Sequence, residues 1–296
     1  MKTDMIPRNF GAFSSGATSL ACPIAYANPQ LLMEPRQLLK AILGKNSAAV
    51  GDTDSKTLVI DVRSKGAFEE GHIPGAQNLD PNAVVAEHNP GSGVLRSVAV
   101  LENLLGTLGV TQDRRIVFCD NRGGFNAARM LWLMEYLGHQ NVAILNGGLA
   151  GWRAAGGTIC IDATMPLSGS FEATPSSQRY ASAQDVLKHR DAPESIVIDV
   201  RTHRKYDEGH IPWAINIPWS RNLDVDNRFL EAEFLMAHFE NHGVIPEHDV
   251  ILHCEVGLAS SHTYVALRLL GFQRVRVYHR SWAEWGSDPT LPRVKA

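Results

Sequence analysis

The chain has little that would tie it to a nucleic acid, a lipid bilayer or a disulfide framework. Its 28 Lys and Arg stand against 31 Asp and Glu, a net charge of −3, so there is no basic footprint for a polyanion or an anionic membrane surface. No apolar run approaches the roughly 20 residues that a bilayer-crossing helix needs. Cysteine is scarce, at positions 22, 119, 160 and 254 only. No two of these share the short spacing of a zinc site, and they are too scattered for a disulfide scaffold. Free thiols in a reducing, cytoplasmic compartment follow. What remains, 44% hydrophobic and 20% charged residues in a chain of 296, suits two medium-sized domains with ample core.

Residues 1–29 read as a loosely packed or disordered leader. Lys2 and Arg8 precede a small-residue stretch ending Ala25-Tyr26-Ala27, and Cys22 follows Leu20-Ala21, which mimics a cleavage or lipidation site. Ser14, Ser15, Gly16, Thr18 and Ser19 weaken the apolar part of that signal. The leader is the first reading, and export to a periplasmic space is the alternative.

The stretch on which the chemistry turns is Val250-Ile251-Leu252-His253-Cys254-Glu255-Val256-Gly257-Leu258-Ala259-Ser260-Ser261. A short apolar strand ends at Cys254, and a helical pattern runs from Leu258 to Leu270 until Gly271 stops it. A Cys at such a strand-to-helix turn faces converging backbone N–H groups and the positive end of the following helix, which favours thiolate over thiol. Gly257 can take the positive φ that lets the loop curl around the sulfur. Cys254 is therefore a candidate nucleophile or sulfur carrier, against the plainer reading of a buried Cys at a strand end.

The chain repeats itself. Leu58-Val59-Ile60-Asp61-Val62-Arg63 and then Gly71-His72-Ile73-Pro74 return as Ile196-Val197-Ile198-Asp199-Val200-Arg201 and Gly209-His210-Ile211-Pro212. Ile116 to Asp120 parallels Val250 to Cys254, Leu137-Gly138 parallels Leu270-Gly271, and Trp152 parallels Trp285. Four landmarks in one order mean two copies of a whole fold. Each copy alternates short apolar strands with helical patterns, which predicts an α/β fold with a mainly parallel sheet flanked by helices. Helices are expected from Pro35 to Gly44, after the capping box Ser182-x-x-Asp185, and over 230–240 with Leu230, Phe234, Leu235 and Phe239 on one apolar face. The copies span 30–157 and 179–296, joined by the Ser-, Thr- and Pro-rich linker 158–178.

With these residues in hand the chain resembles the two-domain sulfurtransferases of the rhodanese family, the thiosulfate and 3-mercaptopyruvate sulfurtransferases. The resemblance spans about residues 30–294. It rests on the Asp-Val-Arg and Gly-His-Ile-Pro segments of both copies, the Cys-x-x-Gly loop at 254–257, and the tail Tyr278-His279-Arg280-Ser281-Trp282-Ala283-Glu284-Trp285-Gly286. It implies tandem domains facing each other, with a loop of Cys254, Glu255, Val256, Gly257, Leu258 and Ala259 that holds a persulfide. It implies no metal or organic cofactor. The partners it implies are a small sulfur donor and a thiophilic acceptor such as cyanide, a thiol or a protein Cys, with the oligomeric state left open. A non-catalytic or protein-to-protein sulfur-relay module is the rival reading. A Cys-dependent phosphatase would need an Arg six residues after the Cys to grip phosphate, and residue 260 is Ser.

Aligning the copies on the loop glycine pairs Gly123 with Gly257 and sets Asp120, not Cys119, at the nucleophile position, so the first copy reads as a scaffold that builds one wall of the site. Cys119, Cys160 and Cys22 are expected to be inert. His72 and His210, and the Asp61, Arg63, Asp199 and Arg201 set, read as structural because both copies carry them. His253, Trp152, Trp282 and Trp285 read as packed. The loop departs from the family pattern: Glu255, Val256 and Ala259 stand where basic, small or hydroxyl residues are common. The substrate-binding Arg falls on Lys205, with Arg204 beside it, and Arg280 is a further cation that can face the donor.

Overall fold

The computed structural model describes residues 24–43, 56–86, 90–165 and 167–295. The first copy runs β1 (Leu32–Met33), α1 (Pro35–Leu43), β2 (Thr57–Asp61), α2 (Lys65–Glu69), β3 (Gln77–Asn78), α3 (Val98–Thr107), β4 (Arg115–Cys119), α4 (Phe125–Tyr136), β5 (Val142–Leu145) and α5 (Gly148–Ala154). The second runs α6 (Ala183–Lys188), β6 (Ser195–Asp199), α7 (His203–Asp207), β7 (Gly209–His210), β8 (Ala214–Asn216), α8 (Ala232–Glu240), β9 (Asp249–His253), α9 (Leu258–Leu269), β10 (Val275–Val277), α10 (Ser281–Trp285) and β11 (Val294–Lys295). Two parallel sheets result, ordered β1-β5-β4-β2-β3 and β10-β9-β6-β8, while β7 and β11 pair antiparallel.

The two sheets share a register, and that fixes the chemistry. Asp61 pairs with Cys119 across β2 and β4, as Asp199 pairs with His253 across β6 and β9. Asp120 and Cys254 are thus each the first residue beyond their central strand. Helix starts follow their local signals: Pro35 opens α1, and the Ser182–Asp185 capping box is formed on both sides. One expected face is corrected. In α8 the buried residues are Ala232, Leu235 and Phe239, while Phe234 is 61% exposed, because it lies one step from Leu235 and so turns about 100° away on a 3.6-residue helix.

Of the leader, residues 1–23 lie outside the described residues. Its end is tied down: the Tyr26 hydroxyl donates to Leu230 O, and the Asn28 side chain and N–H donate to Arg268 O and Leu269 O. Within 158–178, Leu167 and Phe171 are buried in the core and Cys160 bridges His72 in backbone pairing. Among the described residues no helix is long and apolar enough to cross a membrane.

The copies meet along α4 and α9. Every residue of α9 from Ala259 to Leu269 is buried, and one apolar cluster joins both copies. Contacts across the seam are reciprocal. His262 Nε2 donates to Gly123 O at 3.0 Å while its ring stacks on Phe229, and His279 Nδ1 donates to Gly93 O at 2.6 Å while its ring stacks on Trp132. Lower down, Glu135 of α4 accepts from the Tyr264 hydroxyl and from the Arg268 guanidinium of α9.

Both seam histidines are fully buried, and burial pushes the His262 imidazole down to about 4; His279, buried and beside Arg129, is pushed down to about 3. In the unfolded chain each titrates near 6.5. Above that pH neither state is charged and the pair has no effect. Below it the unfolded chain takes up protons that the folded one refuses, so stability falls by up to about 1.4 kcal/mol per pH unit for each His until the folded values are reached. Urea melts at pH 7 and pH 5 are expected to show this loss, and His262→Gln is expected to remove its own share, about half, leaving that of His279. The same slope in the variant and the parent would count against the assignment.

Candidate active site

Cys254 leaves β9 into a tight loop that ends at Gly257, where α9 begins. Gly257 sits at φ +85, and a Cβ there would lie 2.2 Å from the His279 ring, so both backbone angle and space demand glycine. The loop stands on the tail. Cys254 N–H donates to Ser281 Oγ at 3.1 Å, and the carbonyls of Cys254 and Glu255 accept from the N–H groups of Trp282 and Ala283. Cys254 is 2% exposed, and its sulfur lies 3.5 Å from the Ser260 hydroxyl. The backbone N–H groups of residues 255–260 donate to no acceptor among the described residues.

The first copy shows what such a ring binds. Asp120 Oδ1 accepts from the N–H groups of Arg122 and Gly124, both at 2.9 Å, and Oδ2 accepts from those of Asn126 and Ala127 at 2.8 and 3.2 Å. Four convergent N–H groups at a strand-to-helix turn hold one anion. The equivalent ring around Cys254 can do the same for a thiolate or for the terminal sulfur of a persulfide.

One alignment is corrected here. The glycine that caps α4 with φ +83 is Gly124, not Gly123, so Gly124 matches Gly257 and Phe125 matches Leu258. The first loop is one residue longer. Asp120 keeps the nucleophile position because the strand register, rather than the glycine, determines it.

A second equivalence falls in the tail. Gly148 at φ +56 and Ser281 at φ +50 each open the helix beneath the loop, and Leu149 N–H bonds Asp120 O as Trp282 N–H bonds Cys254 O. A left-handed conformation costs a non-glycine residue roughly 1 to 2 kcal/mol. Ser281 offsets this through its hydroxyl, which accepts from Cys254 N–H and donates to Tyr278 O at 2.7 Å.

A family model described as a rhodanese-like domain matches residues 38–155 and again 182–288. The chain belongs to the rhodanese family. A thiosulfate sulfurtransferase of Pseudomonas aeruginosa is 32% identical over 243 residues, covering 79% of this chain and 90% of the relative. A probable 3-mercaptopyruvate sulfurtransferase of the same organism is 32% identical over 285 residues, covering 88% and 98%. A sulfur carrier protein of Thermus thermophilus is 28% identical over 92% of this chain and 99% of its own. An anaerobic ergothioneine biosynthesis enzyme from Chlorobium limicola, solved with trimethyl histidine, superposes with a TM-score of 0.80 at 22% identity, over 92% of this chain and 71% of that one, and shares the fold.

In this rhodanese the two polar locks are near copies. Arg63 grips Asp61 and Gly71 O at 2.6 and 2.7 Å, and Arg201 grips Asp199 and Gly209 O at the same distances. His72 and His210 each bond a carbonyl four residues back at 2.9 Å and stack on Phe68 and Tyr206. Cys119 is fully buried in the opposite face of its sheet, where burial and then Asp61 push its thiol up. Cys160 lies 3.4 Å from His72 Nε2. His253, Trp152 and Trp285 are buried, and Trp282 is half-buried under the Arg201 guanidinium.

The expected cations are occupied elsewhere. Arg204 and Lys205 project from α7 and share Glu208, at 2.9 and 3.3 Å. Arg280 pairs with Glu284 at 2.5 Å. Glu255 turns outward, half-exposed, with Arg201 at 3.8 Å. The residues brought to the Cys254 loop that the sequence did not single out are Ser260, Ser281 and His279.

Proposed function

We propose that the chain is a sulfurtransferase in which Cys254 carries the sulfur. The thiolate attacks the transferable sulfur of a small donor, the outer sulfur of thiosulfate (leaving sulfite) or the thiol sulfur of 3-mercaptopyruvate (leaving the enolate of pyruvate). A Cys254 S–S bond forms, the donor's bond to that sulfur breaks, and the leaving group departs with the electron pair. A thiophile such as cyanide, a thiol or a protein Cys then attacks the outer sulfur, and Cys254 leaves as thiolate. Storing the sulfur covalently divides one transfer into two easier steps, and the N–H ring lowers the energy of the terminal sulfur anion as an oxyanion hole does.

The observation that carries this reading is the pair of turns: in one, four N–H groups hold the Asp120 carboxylate, and the turn at the same strand position in the other copy begins at Cys254. Glu255, Val256, Gly257, Leu258 and Ala259 supply the wall, and Lys205, Arg204 or Arg280 would have to leave their carboxylate partners to meet a donor. Tandem units at 30–157 and 179–296 make the first copy the scaffold of the second. The free thiols at 119, 160 and 254 suit a reducing compartment, hence the cytoplasm.

Intact-mass and peptide mass spectrometry after exposure to thiosulfate, and separately to 3-mercaptopyruvate, tests it. One added sulfur on the Cys254 peptide, removed by cyanide, is expected with at least one donor. An unmodified Cys254 with both donors would leave the chain as an interaction module.

A further inference from the structure

Cys160 lies near the start of the linker, and two backbone bonds set it against His72. His72 N–H donates to Cys160 O at 2.9 Å, and Cys160 N–H donates to His72 O at 3.0 Å. Residues directly opposite in such an antiparallel pair put their side chains on one face. Thiol and imidazole therefore meet, with Sγ 3.4 Å from Nε2. The other ring nitrogen decides what passes between them. Nδ1 lies 2.9 Å from Phe68 O, and a carbonyl only accepts, so Nδ1 carries the ring hydrogen and Nε2 turns its lone pair to the sulfur. Stacking on Phe68, with centroids 3.8 Å apart and planes at 8°, holds the ring in that orientation. The Cys160 thiol thus donates to a base that is itself buried.

The fold does not require a thiol at this place. The second copy builds the same bridge between His210 and Val294, with Nδ1 2.9 Å from Tyr206 O and the ring stacked on Tyr206 at 3.8 Å. A valine completes it. The structural role of the histidine is therefore filled through Nδ1 and the ring face, and Nε2 is left to act on the residue opposite. Access also separates Cys160 from the other described thiols. Cys119 and Cys254 are buried, whereas Cys160 is half-buried and Ile161 after it is 72% exposed, so the chain comes to the surface at this sulfur. A nucleophile, a base within hydrogen-bond reach and a third group that orients the base is the arrangement that activates a thiol. Here the third group is the Phe68 carbonyl.

We propose that Cys160 and His72 form a second reactive thiol site, on the first copy, which exchanges with small-molecule disulfides and carries one half of them as a mixed disulfide. Nε2 takes the thiol proton, and Sγ attacks one sulfur of the disulfide R–S–S–R. The new Sγ–S bond forms, the old S–S bond breaks, and the leaving thiolate takes the bonding pair and then the proton from His72. Cys160 is oxidised, one half of the disulfide is reduced to RSH, and a free thiol reverses the step. No persulfide takes part, so the exchange runs apart from Cys254 and leaves sulfur loading there as it is.

The test treats the full chain at pH 7 with 2-hydroxyethyl disulfide, which is small and uncharged, and follows the mixed disulfide on the Cys160 peptide by mass spectrometry over time. The reference is a synthetic peptide of residues 155–165, which contains Cys160 as its one thiol and no histidine. An isolated thiol titrates near 8.5, so only about 3% of the peptide is thiolate at pH 7. Cys160 in the folded chain is expected to react about tenfold faster than in the peptide, although it is half-buried. Burial without a base would slow it, so a rate equal to or below that of the peptide overturns the proposal. His72→Asn keeps an N–H for Phe68 O and has no basic nitrogen. It is expected to bring the rate down to that of the peptide or lower, and a folded His72→Asn protein that keeps the fast rate refutes the assignment of the base. Should that variant not fold, the comparison of native chain and peptide decides alone.

Discussion

Cys254→Ser is expected to load no sulfur and to lose at least about 10³-fold in transfer rate, the scale on which removing a covalent nucleophile acts. A hydroxyl at this position keeps the size of the group and can still sit beside Ser260, so the loop and its bonds to Ser281 and the tail remain. What disappears is the soft thiolate that attacks sulfur. The other thiols give the contrast. Cys119 lies on the far face of the sheet, in a separate apolar cluster with its thiol pushed up by burial, and Cys160 sits against His72. Cys119→Ser should cost stability, about 1 to 3 kcal/mol for a hydroxyl in an apolar site, yet keep most of the activity of each folded molecule. Cys160→Ser should change little. Sulfur loading followed by mass spectrometry, with circular dichroism as the control for folding, checks all three. A folded Cys119→Ser protein as inactive as Cys254→Ser would mean that the reaction does not run through one site.

Glu135→Ala should be the most damaging substitution for stability. The carboxylate is 3% exposed and accepts from the Tyr264 hydroxyl and the Arg268 guanidinium, both on α9 and both buried. Removing it leaves a cation and a hydroxyl in the seam without their acceptor. Breaking a buried pair from one side costs about 3 to 5 kcal/mol, a fall in melting temperature on the order of 10 °C for a chain of this size. Arg268 keeps one bond, to Phe272 O at 3.2 Å, which is too little to hold a full charge there. Replacing Glu135 and Arg268 together with apolar residues should recover part of the loss, because the orphaned charge is then gone. Thermal melts of the single and double variants measure this; a single variant within 2 °C of the parent would show that the seam does not depend on the pair.

Much of this was legible in the sequence because the signals are local. Apolar runs ending in Asp-Val-Arg specify a strand and its lock, and the lock forms twice with the same distances. Gly257 announced a left-handed turn, and the turn is there. What the sequence hid depends on contacts between distant segments. Alternation and helical period say which side of α4 is apolar, but they do not say that this side meets the loop of the other copy. Arg129, within Ala127-Ala128-Arg129-Met130-Leu131-Trp132, therefore drew no notice. Two charges, Arg129 and Glu135, inside a mostly apolar helix are the signal that could have drawn attention to it. The extra residue of the first loop was invisible because two adjacent glycines offered equally good alignments. Ser281 gave no sign either, since a serine with positive φ is read only from coordinates. Phe234 was misassigned by one helical step, which is the usual reach of a periodicity argument applied to a short helix.

The reciprocal seam of α4 and α9 has the geometry that two identical subunits would adopt about a twofold axis. In such a homodimer a change at the fifth helical position appears twice, so an arginine suited to one side would be imposed on both. Fusion into one chain lifts that constraint. Each side of the seam can mutate alone, and the fifth residue of the helix is Arg129 on one side and His262 on the other. With Asp120 at the turn where the second copy has Cys254, the fused chain has one thiol at such a turn and not two.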